Sequence, residues 1–266
     1  MTYKLDELLA IMARLRDPHK GCPWDQKQTW ASIAPYTVEE AYEVADAIEN
    51  GDFSELKNEL GDLLFQVVFY AQMGKEQGLF DFDAIVDGIC KKMIRRHPHV
   101  FGDVKHHDDA ALKEAWEQEK HRERLQKSPQ QRVLDGVARA LPALVRADKL
   151  QKRAARVGFD WPDAGGAMNK VAEELAEVQE AVSSHDKDAI EDEVGDLLFA
   201  AVNVARLLGV DAEQALRRGN RKFERRFQLL EQDLRNAGQK DLHQMDLDQL
   251  EQAWQRVKSR EKKNDG

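Results

Sequence analysis

Five acidic residues occur twice along this 266-residue chain with the same spacing. Glu39-Glu40-x-x-Glu43 returns as Glu173-Glu174-x-x-Glu177, and Glu59-x-x-Asp62 returns as Glu193-x-x-Asp196, every residue displaced by 134 positions. On a helix each residue advances about 100°, so Glu173, Glu174 and Glu177 fall within one 100° arc. Glu193 and Asp196, three apart, share a face of the next helix. A polar turn between Ser183 and Asp188 would make the two helices antiparallel neighbours whose acidic faces converge. Hard carboxylate oxygens with no His or Cys beside them suit Mg²⁺ or Mn²⁺. Two like charges ~4 Å apart repel by ~4 kcal/mol at an effective dielectric of 20, so such a cluster requires cations or protons. A di-iron bundle would want Glu-x-x-His, which neither half supplies. One acidic helix face alone is commonly just solvated. The two-part pattern, its repetition and the apolar stretch LLFAAVNVA directly after Asp196 favour a site, and place Glu193 and Asp196 at or near a core.

The elements that must position these residues repeat with them. GDLLF at Gly61–Phe65 returns at Gly195–Phe199. Lys92-x-x-Arg95-Arg96 parallels Lys222-x-x-Arg225-Arg226, and AWEQEKHRE (Ala115–Glu123) parallels AWQRVKSRE (Ala253–Glu261). Three matched blocks in one order define two homologous halves, 1–126 and 137–266, joined by a polar linker, 127–136, that contains Pro129 and ends in the turn signal Asp135-Gly136. Leu5, Leu8, Leu9, Met12 and Leu15 follow helical spacing. So do Leu60, Leu63, Leu64, Val67, Val68 and Ala71, and in the second half Leu197, Leu198, Ala201, Val202 and Ala205. Breaks are predicted at Asn50-Gly51, Gly78, His97-Pro98, Gly102, Gly158, Trp161-Pro162, Gly165-Gly166 and Gly209. No alternating strand pattern is present. The fold class is all-α, two tandem antiparallel helical bundles.

Composition narrows the function classes. Charged residues make up 33% and hydrophobic residues 42%, a globular mixture, and the formal charge of −9 argues against a general nucleic-acid binder. Cys22 and Cys90 form neither a disulfide framework nor a metal knuckle, and fit a reducing cytoplasm. The longest uncharged apolar run, Leu63–Gly74, is too short to span a bilayer and contains two Gln. The charged N-terminal stretch reads as an amphipathic helix, not a signal peptide.

EExxE followed by ExxD and GDLLF resembles the MazG family of nucleoside triphosphate pyrophosphohydrolases. That family belongs to the all-α NTP pyrophosphatase superfamily, together with dimeric dUTPases and phosphoribosyl-ATP pyrophosphohydrolases. The resemblance covers essentially the whole chain, as in the two-domain form, and includes GCPWD (Gly21–Asp25), RRHPHVF (Arg95–Phe101) and VGFDW (Val157–Trp161). It implies Mg²⁺-dependent cleavage of NTPs and dNTPs to a nucleoside monophosphate and pyrophosphate, with broad base specificity. It also implies a homodimer of intertwined bundles, with no nucleic acid or membrane partner.

The halves are not equivalent. Lys170 corresponds to Tyr36, Asn203 to Phe69 and Glu191-Asp192 to Lys57-Asn58. The C-terminal half thus keeps a cation for phosphate and a polar group for ligand, and is the expected main catalyst. There Glu173, Glu174, Glu177, Glu193 and Asp196 are the expected metal ligands. Glu174 is a candidate to position water or take its proton, with Glu173 and Lys170 beside it. Glu39, Glu40, Glu43, Glu59 and Asp62 form a weaker or regulatory copy. Lys170, Asp196, Lys222, Arg225, Arg226 and Lys258 are candidate nucleotide contacts. Trp254, four residues before Lys258, could stack on a base. Trp254 can equally be a packing residue, Asn203 a satisfied amide, and the basic run a solvated helix face. A basic contact shortly before the second acidic pair, frequent in the family, would here fall to Lys187. His97, His99, His106 and His107 have no counterparts in the second half and are assigned to loop or surface. The competing classes are a nucleotide-sensing helical dimer with little turnover, a narrow dUTPase-like enzyme, and a purely structural helical dimer.

Overall fold

A computed structural model describes residues 2–102, 108, 111–112, 115–116, 119, 122–123, 132–238 and 242–264. His106, His107 and the first half of the linker, including Pro129, lie outside the described residues. Among the described residues every regular element is a helix, and the chain divides into two compact units, Met1–Lys127 and Ser128–Gly266.

The N-terminal unit contains α1 (Leu5–Leu15), α2 (Pro23–Lys27), α3 (Trp30–Asn50), α4 (Phe53–Glu76), α5 (Phe82–Arg96) and α6 (Pro98–Phe101). Its centre is the long hairpin of α3 and α4. Gly51, at φ +68°, closes α3 in the left-handed conformation that glycine adopts without steric cost, and Asp52 caps α4 by accepting from the Ser54 and Glu55 amides at 3.0 Å. Met12, Ile33, Val68, Phe69 and Met73 form the core between α1, α3 and α4.

The C-terminal unit repeats the plan with α7 (Ala143–Ala155), α8 (Ala164–Ser184), α9 (Lys187–Leu207), α10 (Ala212–Asn236) and α11 (Leu247–Asn264). The α8–α9 hairpin turns over two residues, His185 and Asp186, a shorter connection than the Ser183–Asp188 turn expected. Asp186 caps α9, accepting from the Asp188 amide at 3.0 Å. α7 packs across α9, while α10 and α11 pair around Leu230, Leu234, Ala253 and Val257.

Two expectations are corrected. Gly165-Gly166 does not break the chain but lies in the first turn of α8, where Asp163 accepts from the Gly165 amide at 2.7 Å and the Trp161 ring covers Gly166. Nor is α9 largely buried around its carboxylates. Val194, Leu198 and Phe199 are exposed, and only Ala200 and Val202 are fully enclosed, because α7 and α8 cover one stripe of the helix and leave the adjoining stripe open. No described helix is long and apolar enough to cross a membrane.

Candidate active site

The α8–α9 hairpin does what the spacing requires: one turn of helix separates Glu174 from Glu177 on α8, and the antiparallel partner brings Glu193 opposite them. Carboxylate oxygens of Glu174, Glu177 and Glu193 lie within 4.8 Å of one another. Glu174 is only 4% exposed. Its Oε1 accepts from Lys170 Nζ at 2.6 Å, whereas its Oε2 is buried with no hydrogen-bond donor. A buried carboxylate oxygen without a donor is costly unless something cationic meets it. Lys170 also reaches Glu173 at 2.8 Å, so that Glu173 is drawn to the ammonium at the outer edge of the helix. Glu173 and the exposed Asp196 stand outside the 4.8 Å set.

Charge follows from these contacts. The two glutamates, Glu173 first, hold the Lys170 ammonium above the ordinary lysine range. The Lys170 hydrogen bond keeps Glu174 below the usual carboxylate range, and Glu177, hydrogen-bonded to the ionised Glu174 and partly desolvated, is pushed up. The chain therefore presents a fixed anion, a carboxyl reluctant to ionise and a third carboxylate around one point. An all-oxygen donor set with an orphaned buried oxygen fits a hard divalent cation.

The N-terminal unit assembles the equivalent triad: oxygens of Glu40, Glu43 and Glu59 also lie within 4.8 Å of one another, with Glu39 and Asp62 outside. No lysine stands behind it. Tyr36 occupies that position and meets Trp24 edge-on, ring centroids 6.1 Å apart. Glu40 has Gln66 Nε2 at 3.4 Å and is raised by burial, then by Asp62 and Glu43. Glu59 is pushed up to about 7, chiefly through its hydrogen bond with Glu55.

The expected nucleotide contacts Lys222, Arg225 and Arg226 lie on α10, and Trp254 and Lys258 on α11. Arg225 and Arg226 both bind Glu261, at 2.7 and 2.6 Å, which places Glu261 below the usual carboxylate range. Arg95 and Arg96 clasp Glu123 in the same way and hold it at about 2. The repeated Arg-Arg and closing Glu were visible as matched blocks, but their mutual pairing was not foreseen. Trp254 is half-buried against the α10–α11 core, 5.3 Å from the Phe223 ring. Lys222 and Lys258 make no ion pair among the described residues. Nor, among those residues, does any hydrogen bond or ion pair join this basic set to the carboxylate triad. Lys187 is exposed in the first turn of α9. In the other unit, His97 Nδ1 donates to the Met93 carbonyl at 2.7 Å and the ring packs on Trp116.

Sequence reasoning missed a polar clasp on the VGFDW segment. Arg206, thirteen residues after Glu193 along α9, holds Asp160 through both terminal nitrogens, and its Nε and Nη2 also donate to Asn203 Oδ1 at 2.9 and 2.7 Å. The clasp lowers the Asp160 carboxyl and fixes the Phe159–Trp161 loop against α9.

The chain thus carries, in duplicate, an all-α hairpin that gathers carboxylates from both arms around one point. The MazG nucleotide pyrophosphohydrolase domain matches residues 28–101 and 166–229, the two α3–α4 and α8–α9 regions with their following helices. The chain is 53% identical over 262 residues to the nucleoside triphosphate pyrophosphohydrolase of Escherichia coli strain K12, covering 97% of this chain and 98% of that one. It is 41% identical over 253 residues to the nucleoside triphosphate pyrophosphohydrolase/pyrophosphatase MazG of Thermotoga maritima, 95% of each. This chain belongs to the MazG family.

Proposed function

We propose that the chain is a nucleoside triphosphate pyrophosphohydrolase whose C-terminal unit converts NTPs and dNTPs to the nucleoside monophosphate and pyrophosphate with broad base specificity. The observation that carries the reading is the buried Glu174, one oxygen tied to Lys170 and the other unsatisfied, inside a three-carboxylate cluster. The names of the full-length relatives agree with it.

Glu174, Glu177 and Glu193 would hold Mg²⁺ or Mn²⁺, with Glu173 and Asp196 at the margin. When bound, the ion supplies charge neutralisation at the phosphates and activation of water. Water oxygen bonds to the α-phosphorus as the bond from that phosphorus to the α–β bridging oxygen breaks; the electron pair leaves with pyrophosphate and the water proton passes to a carboxylate. Glu174 orients the water, since burial and Lys170 hold it in one place. Lys170 keeps Glu174 anionic and, with Lys222 and Lys258, offers positive charge to the phosphates as charge moves onto the leaving group. Arg225 and Arg226, locked by Glu261, and the packed Trp254 fix the helix pair that carries Lys222 and Lys258.

The same reading includes a cytoplasmic homodimer. Its support is the open apolar stripe of Met168, Leu175 and Val182, seven residues apart on α8, beside Val194 and Leu198 on α9, all exposed in the single chain. Light scattering on the purified chain should give twice the monomer mass.

Product analysis on a panel of NTPs and dNTPs tests the activity. Pyrophosphate, not orthophosphate, is expected, and only with Mg²⁺ or Mn²⁺ added. Tight NTP binding without pyrophosphate would instead favour a sensor with little turnover.

A further inference from the structure

The two carboxylate triads differ in what lies beneath them. Gln66 on α4 is 7% exposed, and the residue in its register in the C-terminal unit is Ala200. Glu59, Asp62 and Gln66 follow one another along one face of α4. Helical side chains lean toward the N-terminus, which turns the Gln66 amide back toward those two acids. Glu40 meets it from the other arm of the hairpin, where Gln66 Nε2 donates to Glu40 Oε1 at 3.4 Å. A neutral amide, more than nine-tenths buried, thus faces the acidic cluster from its floor.

That contact leaves the amide half satisfied. Its Oε1 is buried with no donor. A buried carbonyl oxygen without a donor is costly, and a bond as long as 3.4 Å recovers little. Turning the amide about its last torsion does not help the free protein, since oxygen would then face carboxylate. Beside a cation the turned amide is favourable, because the oxygen becomes a ligand next to Glu40 Oε1. A second buried amide gives the contrast. Gln151 also keeps a donorless Oε1, but its Nε2 is held by the Phe199 carbonyl at 2.8 Å, a bond of ordinary length to backbone. Of the two, Gln66 is the one coupled to an acid.

Charge separates the triads further. The charged groups that act on Glu40 and Glu59 are all acidic, Asp62, Glu43 and Glu55, whereas Glu174 answers to Lys170. The N-terminal set therefore offers three carboxylates and one neutral oxygen, with no ammonium to offset them. Glu43 is exposed and leaves the set open to solvent. Ca²⁺ takes about six to eight oxygens, amide carbonyls among them, in a loose geometry. Mg²⁺ demands a tight octahedron, keeps several waters and is commonly completed by phosphate oxygens. The richer and uncompensated set suits the larger ion.

We propose that the N-terminal unit binds a cation of calcium type, with Gln66 Oε1 turning in as a neutral ligand beside Glu40, Glu43 and Glu59. The ion clamps α3 to α4 and takes no part in turnover. The site does not rest on the nucleotide reading above.

The test titrates CaCl₂ and MgCl₂ separately into the full chain carrying Glu174→Gln, which weakens the other triad. Heat of binding and the Gln66 side-chain amide signal in NMR are followed. Ca²⁺ should move that signal and bind about tenfold or more tightly than Mg²⁺. Adding Gln66→Ala should weaken Ca²⁺ about tenfold and leave Mg²⁺ within about twofold. Alanine is what the other half carries in this register, so the helix accepts it. Adding Glu40→Gln should remove the heat of Ca²⁺ binding. A Gln66 signal that stays still through millimolar CaCl₂, the range of the weakest protein calcium sites, overturns the proposal. So does Mg²⁺ binding as tightly as Ca²⁺, or a Gln66→Ala variant with unchanged Ca²⁺ affinity. Should that variant fail to fold, the Gln66 signal in the chain that keeps the residue still decides. Because no turnover is read, a wild type that releases no pyrophosphate would sink the activity and leave this site standing.

Discussion

Lys170 stands behind the carboxylates of the C-terminal unit where Tyr36 stands in the N-terminal unit, and the two triads respond in opposite directions. Glu174 is held ionised by the ammonium; Glu40, with burial and two acidic neighbours against it and only a long amide contact in its favour, is pushed toward its neutral form. The helices, caps and oxygen spacings are nearly the same in both. What separates them is a single side chain one helical turn before the key glutamate, reinforced by Phe69 in place of Asn203. Duplication preserved the frame, and a few positions around it set the charge.

The comparison can be broken most directly by kinetics. Glu174→Ala should reduce pyrophosphate release by about 10³-fold or more, because it removes both a cation ligand and the residue that orients water, while Glu40→Ala should change it by less than about threefold. Equal losses would end the asymmetry. Stability should show the reverse ranking: Phe69→Ala, emptying a fully buried ring site, should cost about 3–5 kcal/mol in urea unfolding, and Asn203→Ala about 1 kcal/mol.

Lys170→Met should lower turnover by about 10–100-fold and move the Glu174 midpoint up in a carboxyl NMR titration. The reciprocal Tyr36→Lys should move the Glu40 midpoint down. Smaller effects come from pH. Glu123 sits at about 2 in the folded protein against about 4.3 when unfolded. Its contribution is therefore complete above about pH 4.3 and disappears as pH falls toward 2. The urea midpoint of Glu123→Gln should lie below wild type at neutral pH and converge with it in acid. Glu59 works with the opposite sign. Its folded value of about 7 means that stability falls as pH rises from about 4.3 through 7, and Glu55→Gln should return its NMR midpoint toward the ordinary range.

Much of this was legible from residues alone. Repetition at 134 positions exposed the two units, helical spacing gave the hairpins, and EExxE with ExxD placed oxygens on facing helices. Tertiary context escaped. Gly165-Gly166 reads locally as a breaker, and only the Trp161 ring over Gly166 explains a glycine pair inside a helix. The apolar run after Asp196 suggests burial, yet periodicity cannot tell whether a covering surface comes from the same chain. Gln151 was invisible for a different reason: a lone amide in a charged amphipathic helix carries no pattern until its neighbours are known. The convergence of three carboxylates, not five, was hidden because spacing alone does not say which of the five sit closest: Glu173 and Asp196 stand outside the C-terminal set as Glu39 and Asp62 do in the N-terminal one.

The seat of Trp161 on Gly166 has a consequence for the whole hairpin. A β-carbon at 166 would fall 2.5 Å from the indole Cε3, so even alanine, ordinarily the better helix former, would wedge loop and helix apart. The indole thus acts as a spacer that sets how far α8 extends before its acidic turns begin, one and two turns downstream at Lys170 and Glu174. An apolar contact outside the chemistry thereby calibrates the reach of the charged groups that α8 carries.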